Sequence, residues 1–218
     1  MTPPDPTVNI PRPTLLRLPS YRRFLRGWAE QGNENVSCTD IAGALGQDPT
    51  QVRKDVAVTG IVGRPRVGYN VGELAAAIDS FLGWDNVSDA FLVGAGNLGA
   101  ALIGYEEFKN YGMNIVAAFD VDVRKIDSQI QGRPVFGLDK LPDLADRMHV
   151  RIGIIAVPSA AAQSVATLMV LAGMQAIWNF APIRLDVPDG IIVETVDLRA
   201  SLAVLTSKLA EKVSPPSA

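Results

Sequence analysis

The spacing of apolar positions divides this 218-residue chain near residue 85. In the first part they recur at helical intervals. Tyr21, Phe24, Leu25 and Trp28 predict one helix, ended by Gly32. Ser37-Cys38-Thr39-Asp40 has the form of a capping box ahead of Ile41, Ala44 and Leu45, and Gly46 closes that short helix. Asp48-Pro49 opens another, with the carboxylate as N-cap and proline at the first helical position, running to about Gly60. Two short helices joined by a tight Gly46-Gln47 turn make a helix-turn-helix. Gly60, Gly63, Pro65 and Gly68, interleaved with Arg64 and Arg66, then predict a small hairpin or wing with the arginines pointing outward. Residues 72–83 read as a short amphipathic helix linking the two parts.

Beyond residue 88 the pattern becomes short continuous apolar runs: Ala90–Val93, Ile115–Phe119, Ile152–Ala156, Gln175–Trp178 and Ile191–Val193. Helical stretches at 97–110, 138–147 and 159–172 separate the first four. Such alternation predicts a parallel sheet covered on both faces. A last helix, 197–211, carries Leu198, Leu202, Leu205 and Leu209 in a narrow seam of the kind a partner helix covers. The expected organisation is a proline-rich arm (1–13), a winged helix with its linker helix (14–84), a Rossmann-like doubly wound domain (85–196) and a C-terminal dimerisation helix (197–213).

Composition narrows the chemistry. At 48% apolar and 20% charged residues the chain is an ordinary globular one, neither disordered nor coiled-coil nor collagen-like. A single cysteine, Cys38, excludes a disulfide framework, and a single histidine, His149, leaves little imidazole chemistry. No apolar run reaches the roughly 18 to 20 residues of a membrane span. Prolines at 3, 4, 6, 11 and 13 do not read as a signal peptide, so the default compartment is the cytoplasm. Residues 1–70 hold nine Lys/Arg against six Asp/Glu, whereas the remainder is acidic. A basic piece joined to an acidic one points to two domains with different partners, the first a nucleic acid.

Gly94-Ala95-Gly96-Asn97-Leu98-Gly99 is GxGxxG between a predicted strand and a predicted helix, the context in which this pattern marks a pyrophosphate loop. Asp120 follows Gly99 by twenty-one residues, at the end of the next strand, where a carboxylate accepts the ribose hydroxyls and repels a 2′-phosphate. This favours NAD(H). A structural glycine turn, or a fold that takes coenzyme A, remains the alternative. Val157-Pro158 and Asn179-Phe180-Ala181-Pro182 follow later strands, at the sheet edge where the nicotinamide end would lie. An oxidoreductase would need an acid or base there. His149 precedes its strand, on the other edge, Cys38 packs in the first domain, and no Ser/Lys or Tyr-x-x-x-Lys pair stands in a plausible place. The chain reads as a nucleotide sensor rather than a catalyst.

Gln51, Arg53 and Lys54 fall in the first turns of the second helix of the helix-turn-helix, where side chains reach base edges in the major groove. Arg64 and Arg66 on the wing suit a narrow minor groove.

From residue 10 to about 210 the chain resembles the Rex family of redox-sensing repressors. The resemblance rests on Ile10-Pro11-x-Pro13-Thr14, Arg17-Leu18-Pro19-x-Tyr21-x-Arg23, Gln51-Val52-Arg53-Lys54-Asp55, Val67-Gly68-Tyr69-Asn70-Val71 and the glycine loop. It continues with Phe119-Asp120-x-Asp122, Val157-Pro158 with Ala162-Gln163, Trp178-Asn179-Phe180-Ala181-Pro182 and Val196-Asp197-Leu198. It implies a homodimer that holds a palindromic operator with NAD+ or without ligand and releases it on binding NADH. It also implies recognition-helix roles for Arg53 and Lys54, with Tyr69 on the DNA side. Tyr105 and Asp197 match a pair that stabilises the NADH-bound form, Arg23 the alternative partner of that aspartate, and Leu198 a swapped-helix residue near the partner's nicotinamide. The segment Val56-Ala57-Val58-Thr59-Gly60, together with Val62 and Arg66, departs from the family's usual residues. A small NAD-dependent oxidoreductase and a coenzyme A-binding subunit are the competing readings.

Overall fold

A computed structural model describes residues 10–213, in two compact units. Residues up to 86, with 110–112, form the first, and residues 87–109 with those from 113 onward form the second. Most of the expected arm, residues 1–9, lies outside the described residues.

The first unit opens with α1 (Arg12–Glu30), which begins before the expected boundary at residue 14. Pro13 sits in its first turn, where its missing N–H costs nothing. A two-residue strand, β1 (Asn35–Val36), leads to α2 (Cys38–Leu45), whose capping box is formed as the sequence predicts. Ser37 and Asp40 each accept from the other's backbone N–H. Gly46, at φ 63°, takes the left-handed turn out of α2. Asp48 then caps α3 (Pro49–Ala57) by accepting from Thr50 N and Gln51 N.

The expected hairpin of the wing is present as one antiparallel rung. Arg64 and Gly68 form a single bridge around Arg66, which has φ 65°. The returning strand β2 (Tyr69–Asn70) pairs with β1 instead of with residues 60–64. The expected linker helix is α4 (Val71–Phe81), and it belongs to the core of this unit: Leu74 and Ile78 are fully buried with Leu18, Tyr21 and Leu25 of α1. Arg22 of α1 bonds both oxygens of Asp79 on α4 at 2.7 and 2.9 Å.

In the second unit the strands are β3 (Ser88–Val93), β4 (Met113–Asp120), β5 (Gln129–Ile130), β6 (Arg133–Gly137), β7 (Ile152–Ile155), β8 (Ala176–Asn179) and β9 (Ile192–Thr195). They are ordered β5-β6-β4-β3-β7-β8-β9, parallel except at β5. The hairpin of β5 and β6 was absent from the expected elements. The helices are α5 (Asn97–Gly104), α6 (Leu141–Arg147) and α7 (Ser159–Leu171). The stretch expected as a helix to residue 110 ends at Gly104 and continues as a 3₁₀ turn, Glu106–Tyr111. From β3 the chain passes through α5 to β4 on one side, and the later β7 pairs on the other. Strand order therefore reverses between β3 and β7, and the crevice beyond their carboxyl ends is where open α/β sheets bind ligands. Phe91, Phe119 and Ile155 are buried on one face of the sheet, and Leu92, Ala118 and Ile154 on the other. The final helix, α8 (Leu198–Val213), is exposed wherever its side chains are described, Leu202, Leu205 and Leu209 included.

Candidate functional site

The three glycines of the loop after β3 differ in what surrounds them. Gly94 has φ 107°, and a Cβ there would lie 2.5 Å from the carbonyl oxygen of Ala156. A Cβ on Gly99 would lie 2.0 Å from Gly94 O, so α5 packs against the loop only with glycine at that point. Gly96 faces open space, with nothing within 4 Å of a Cβ. Close packing dictates two of the three; the third leaves room for something outside the chain to approach the backbone. Gly96 is also the N-cap of α5 and supplies no side chain to the first-turn N–H groups of Asn97, Leu98 and Gly99. Those N–H groups and the positive end of the helix suit an anion. A dinucleotide pyrophosphate therefore fits the residues present.

Asp120 ends β4 beside this loop. Its Oδ2 accepts from Ala95 N at 2.9 Å and from Lys125 Nζ at 3.1 Å, and its Oδ1 accepts from Asp122 N at 2.9 Å. Burial alone would raise its pKa, but these bonds outweigh it and hold the carboxyl below the usual range. The group is ionised at neutral pH and fixed in place. Val157 and Pro158 lie immediately after β7 and lead into α7. Asn179 ends β8 and is fully buried. Its amide nitrogen reaches Ala181 O, Ile183 O and Thr195 Oγ1, and its oxygen accepts from Ala181 N. Asn179 thus shapes the loop that carries Phe180 and is spent on that task. Phe180 stacks at an angle on Trp178, their ring centres 4.6 Å apart.

Other expected site residues have local partners. The Tyr105 hydroxyl donates to Glu107 at 2.9 Å, and its ring meets Phe108 edge-on. Asp197 accepts from Arg199 N at 3.0 Å and Arg199 Nε at 3.2 Å, bonds that lower its pKa. Arg23 is exposed on α1. The backbone of Leu198 begins α8, and its side chain lies outside the described ones. His149 is an exposed turn residue at φ 54° before β7.

On the first unit, Arg53 and Lys54 are exposed on α3, and Arg64 and Arg66 are exposed on the wing. Tyr69 is partly buried at the base of the wing, and burial raises its pKa, aided by Cys38. Gln51 is placed differently from a residue held ready for a base. Its amide nitrogen donates to Asp55 at 2.9 Å.

Asp55, outside the site residues that the sequence patterns indicate, is the centre of this unit. It is 1% exposed and accepts from Thr14 Oγ1, from Arg17 through two nitrogens, from Tyr21 Oη and from Gln51, all at 2.6–2.9 Å. Burial pushes its pKa up, but the bonds from Arg17, Tyr21, Thr14 and Gln51 prevail and lower it. Desolvation and the bond to Asp55 push the Tyr21 phenol up to about 12. The signal was present as Thr14, Arg17 and Tyr21 at spacings of 3 and 4, one polar stripe on α1. The network fixes α3, and with it Arg53 and Lys54, against α1.

Fold and sites together define a two-unit regulator: a helix-turn-helix with a wing, and a nucleotide fold with an anion loop at its switch point. Residues 85–183 match the family model of the CoA binding domain, and residues 9–56 match the model described as “Putative DNA-binding protein N-terminus”. The redox-sensing transcriptional repressor Rex of Treponema denticola is 47% identical over 88% of this chain and 92% of its own. That of Desulforamulus reducens is 46% identical over 94% and 98%. Among solved structures, RSP in complex with β-NAD+ and operator DNA superposes with a TM-score of 0.88 at 33% identity, covering 94% of this chain and 95% of that one. RSP in complex with β-NADH gives 0.85 at 32% identity, covering 94% and 97%. The chain belongs to the Rex family of redox-sensing transcriptional repressors, and is a regulator rather than an enzyme.

Proposed function

We propose that this chain represses transcription by holding a palindromic operator with NAD+ or without ligand, and that it lets go when NADH binds. The observation that carries the reading is one chain joining exposed Arg53 and Lys54 on α3 to a glycine loop whose central position is open. Gly94 through Gly99 hold the pyrophosphate through backbone N–H groups, and Asp120 takes the adenosine ribose. Val157, Pro158 and Phe180 line the nicotinamide end, with Asn179 fixing the loop. Tyr105, Asp197 and Arg23 act as the switch, and Leu198 reaches the partner's ligand from a swapped α8. Arg53 and Lys54 read the major groove, Gln51 supports them through Asp55, and Arg64, Arg66 and Tyr69 act at the wing.

NAD+ and NADH differ by one charge on the nicotinamide ring. A closed apolar surround disfavours the cationic form, because burying an unpaired charge is costly. The protein is then drawn to the closed state by NADH more than by NAD+. Only differential affinity moves such an equilibrium, and a shift from 1:99 to 99:1 requires about 10⁴-fold, or about 5.5 kcal/mol. A homodimer is the working unit, since a palindrome presents two half-sites and the leucine face of α8 is exposed. Among the described residues no helix is long and apolar enough to cross a membrane. The cytoplasm, where DNA and the dinucleotide pool meet, is the compartment we assign.

The test is an electrophoretic mobility shift on a palindromic duplex at fixed salt, because DNA affinity depends steeply on salt. Retardation without ligand and with NAD+, and release with NADH, is the expected result. Equal retention with both redox forms would overturn the reading.

A further inference from the structure

The geometry points to Lys125 as the residue that sets how sharply this site discriminates dinucleotides by the group on the adenosine 2′ carbon. The inference rests on the dinucleotide reading above and goes further into that same site. A carboxylate beside the ribose is expected to reject a 2′-phosphate by repulsion. Here that carboxylate does not stand alone. Lys125 Nζ lies 3.1 Å from Asp120 Oδ2, and the lysine is anchored on a turn by its N–H to Asp122 O at 2.9 Å. Next to it Arg124 grips Asp122 through Nε at 2.9 Å and Nη2 at 2.8 Å. Each of the two carboxylates, Asp120 and Asp122, is therefore matched by a cation, Lys125 and Arg124 respectively.

Lone pairs sharpen the point. A carboxylate offers about four acceptor positions. Ala95 N and Lys125 Nζ occupy Oδ2, and Asp122 N takes one position on Oδ1. One acceptor remains for two ribose hydroxyls. Without the lysine, Asp120 gains a second acceptor and an uncompensated charge. Both changes suit an unphosphorylated ribose, and the second opposes a 2′-phosphate. Lys125 acts as a positioning and charge-balancing residue. Its side chain is 36% exposed, so its replacement leaves the fold intact.

The experiment measures equilibrium binding of NADH and of NADPH to the full-length protein, in the wild type and in Lys125→Met, Lys125→Arg and Asp120→Asn. In Lys125→Met the NADPH dissociation constant should rise about tenfold, while that for NADH stays within about threefold or improves, an effect weakened by added salt. Lys125→Arg should restore the wild-type ratio, and Asp120→Asn should shift it towards NADPH. An unchanged ratio in Lys125→Met, or a parallel loss of both ligands, would overturn the inference and leave the dinucleotide site standing. A wild-type protein that binds neither ligand would overturn both.

Discussion

The two units keep their polar groups in opposite places. In the first, a carboxylate is buried in the middle of the packing and surrounded by five donor nitrogens and oxygens. In the second, Asn179 with its neutral amide is the one buried polar side chain among the described residues, and Asp120, Asp122, Arg124 and Lys125 form a charged cluster at the rim beyond β4. The contrast follows from what each must do. Helix α3, with nine residues, buries little surface, and apolar packing alone leaves it free to rotate. Directional bonds from Asp55 to three positions on α1 fix its orientation. The nucleotide fold gets its rigidity from a seven-stranded sheet, so its polar groups remain available to a ligand.

The largest break in this comparison is Asp55→Ala. Removing one partner of a buried charged network costs about 3–5 kcal/mol, a large share of a typical total of about 5–15 kcal/mol. Thermal unfolding should show the first unit melting early and operator binding lost, with NADH still bound by the second. Next is Gly99→Ala, whose Cβ collides with Gly94 O and should destabilise the second unit by about 1–3 kcal/mol. Gly96→Ala, in open space, should leave the melting temperature unchanged while weakening NADH binding. If both alanines lowered stability equally, Gly96 would be a packing position and the anion cradle would fall. Arg53→Ala should cost about 1–3 kcal/mol of specific DNA binding with no change in stability or in NADH affinity. An unaltered operator affinity would remove α3 from the groove.

The smallest expected effect is the response to pH. Asp55 has a lowered folded pKa, so its contribution is present above the unfolded value of about 3.9 and disappears as pH falls through the folded one. Tyr21, raised to about 12, contributes below its unfolded value of about 10 and loses that contribution as pH climbs towards 12. Melting followed separately for the two units should show the first losing stability at both extremes. A first unit indifferent to pH between 2 and 5 would mean that Asp55 is not its ionised hub.

Local signals explain what the sequence made legible. Ser37 with Asp40, and Asp48 with Pro49, cap their helices as read, because capping depends on residues within one turn. The glycine loop and Asp120 were found because strand, turn and helix impose their spacing. The pairing of β2 with β1 was hidden: two-residue strands carry no alternation, and their partners lie more than thirty residues apart. β6 contains Arg133 and Pro134 and runs beside a short antiparallel hairpin partner, so no apolar run marks it. The amphipathic pattern of α4 marks a helix with one covered face but does not say which surface it covers, and the structure places that face against α1. Nothing in the sequence marks Lys125, since no spacing rule ties a base to the acid five positions earlier. Gln51 looked like a base reader by position alone, and only the contact with Asp55 reveals its commitment.

If ligand in one unit governs the grip of the other, the coupling must be visible from both sides. An operator duplex selected by the protein from a randomised pool would be titrated at fixed salt with NAD+ present and with NADH present. NADH binding would then be measured with and without that duplex. DNA binding should be weaker with NADH, and NADH affinity should fall on DNA by the same factor as DNA affinity falls relative to the ligand-free protein. Equal DNA affinity in all conditions, together with NADH binding blind to the duplex, would contradict that coupling.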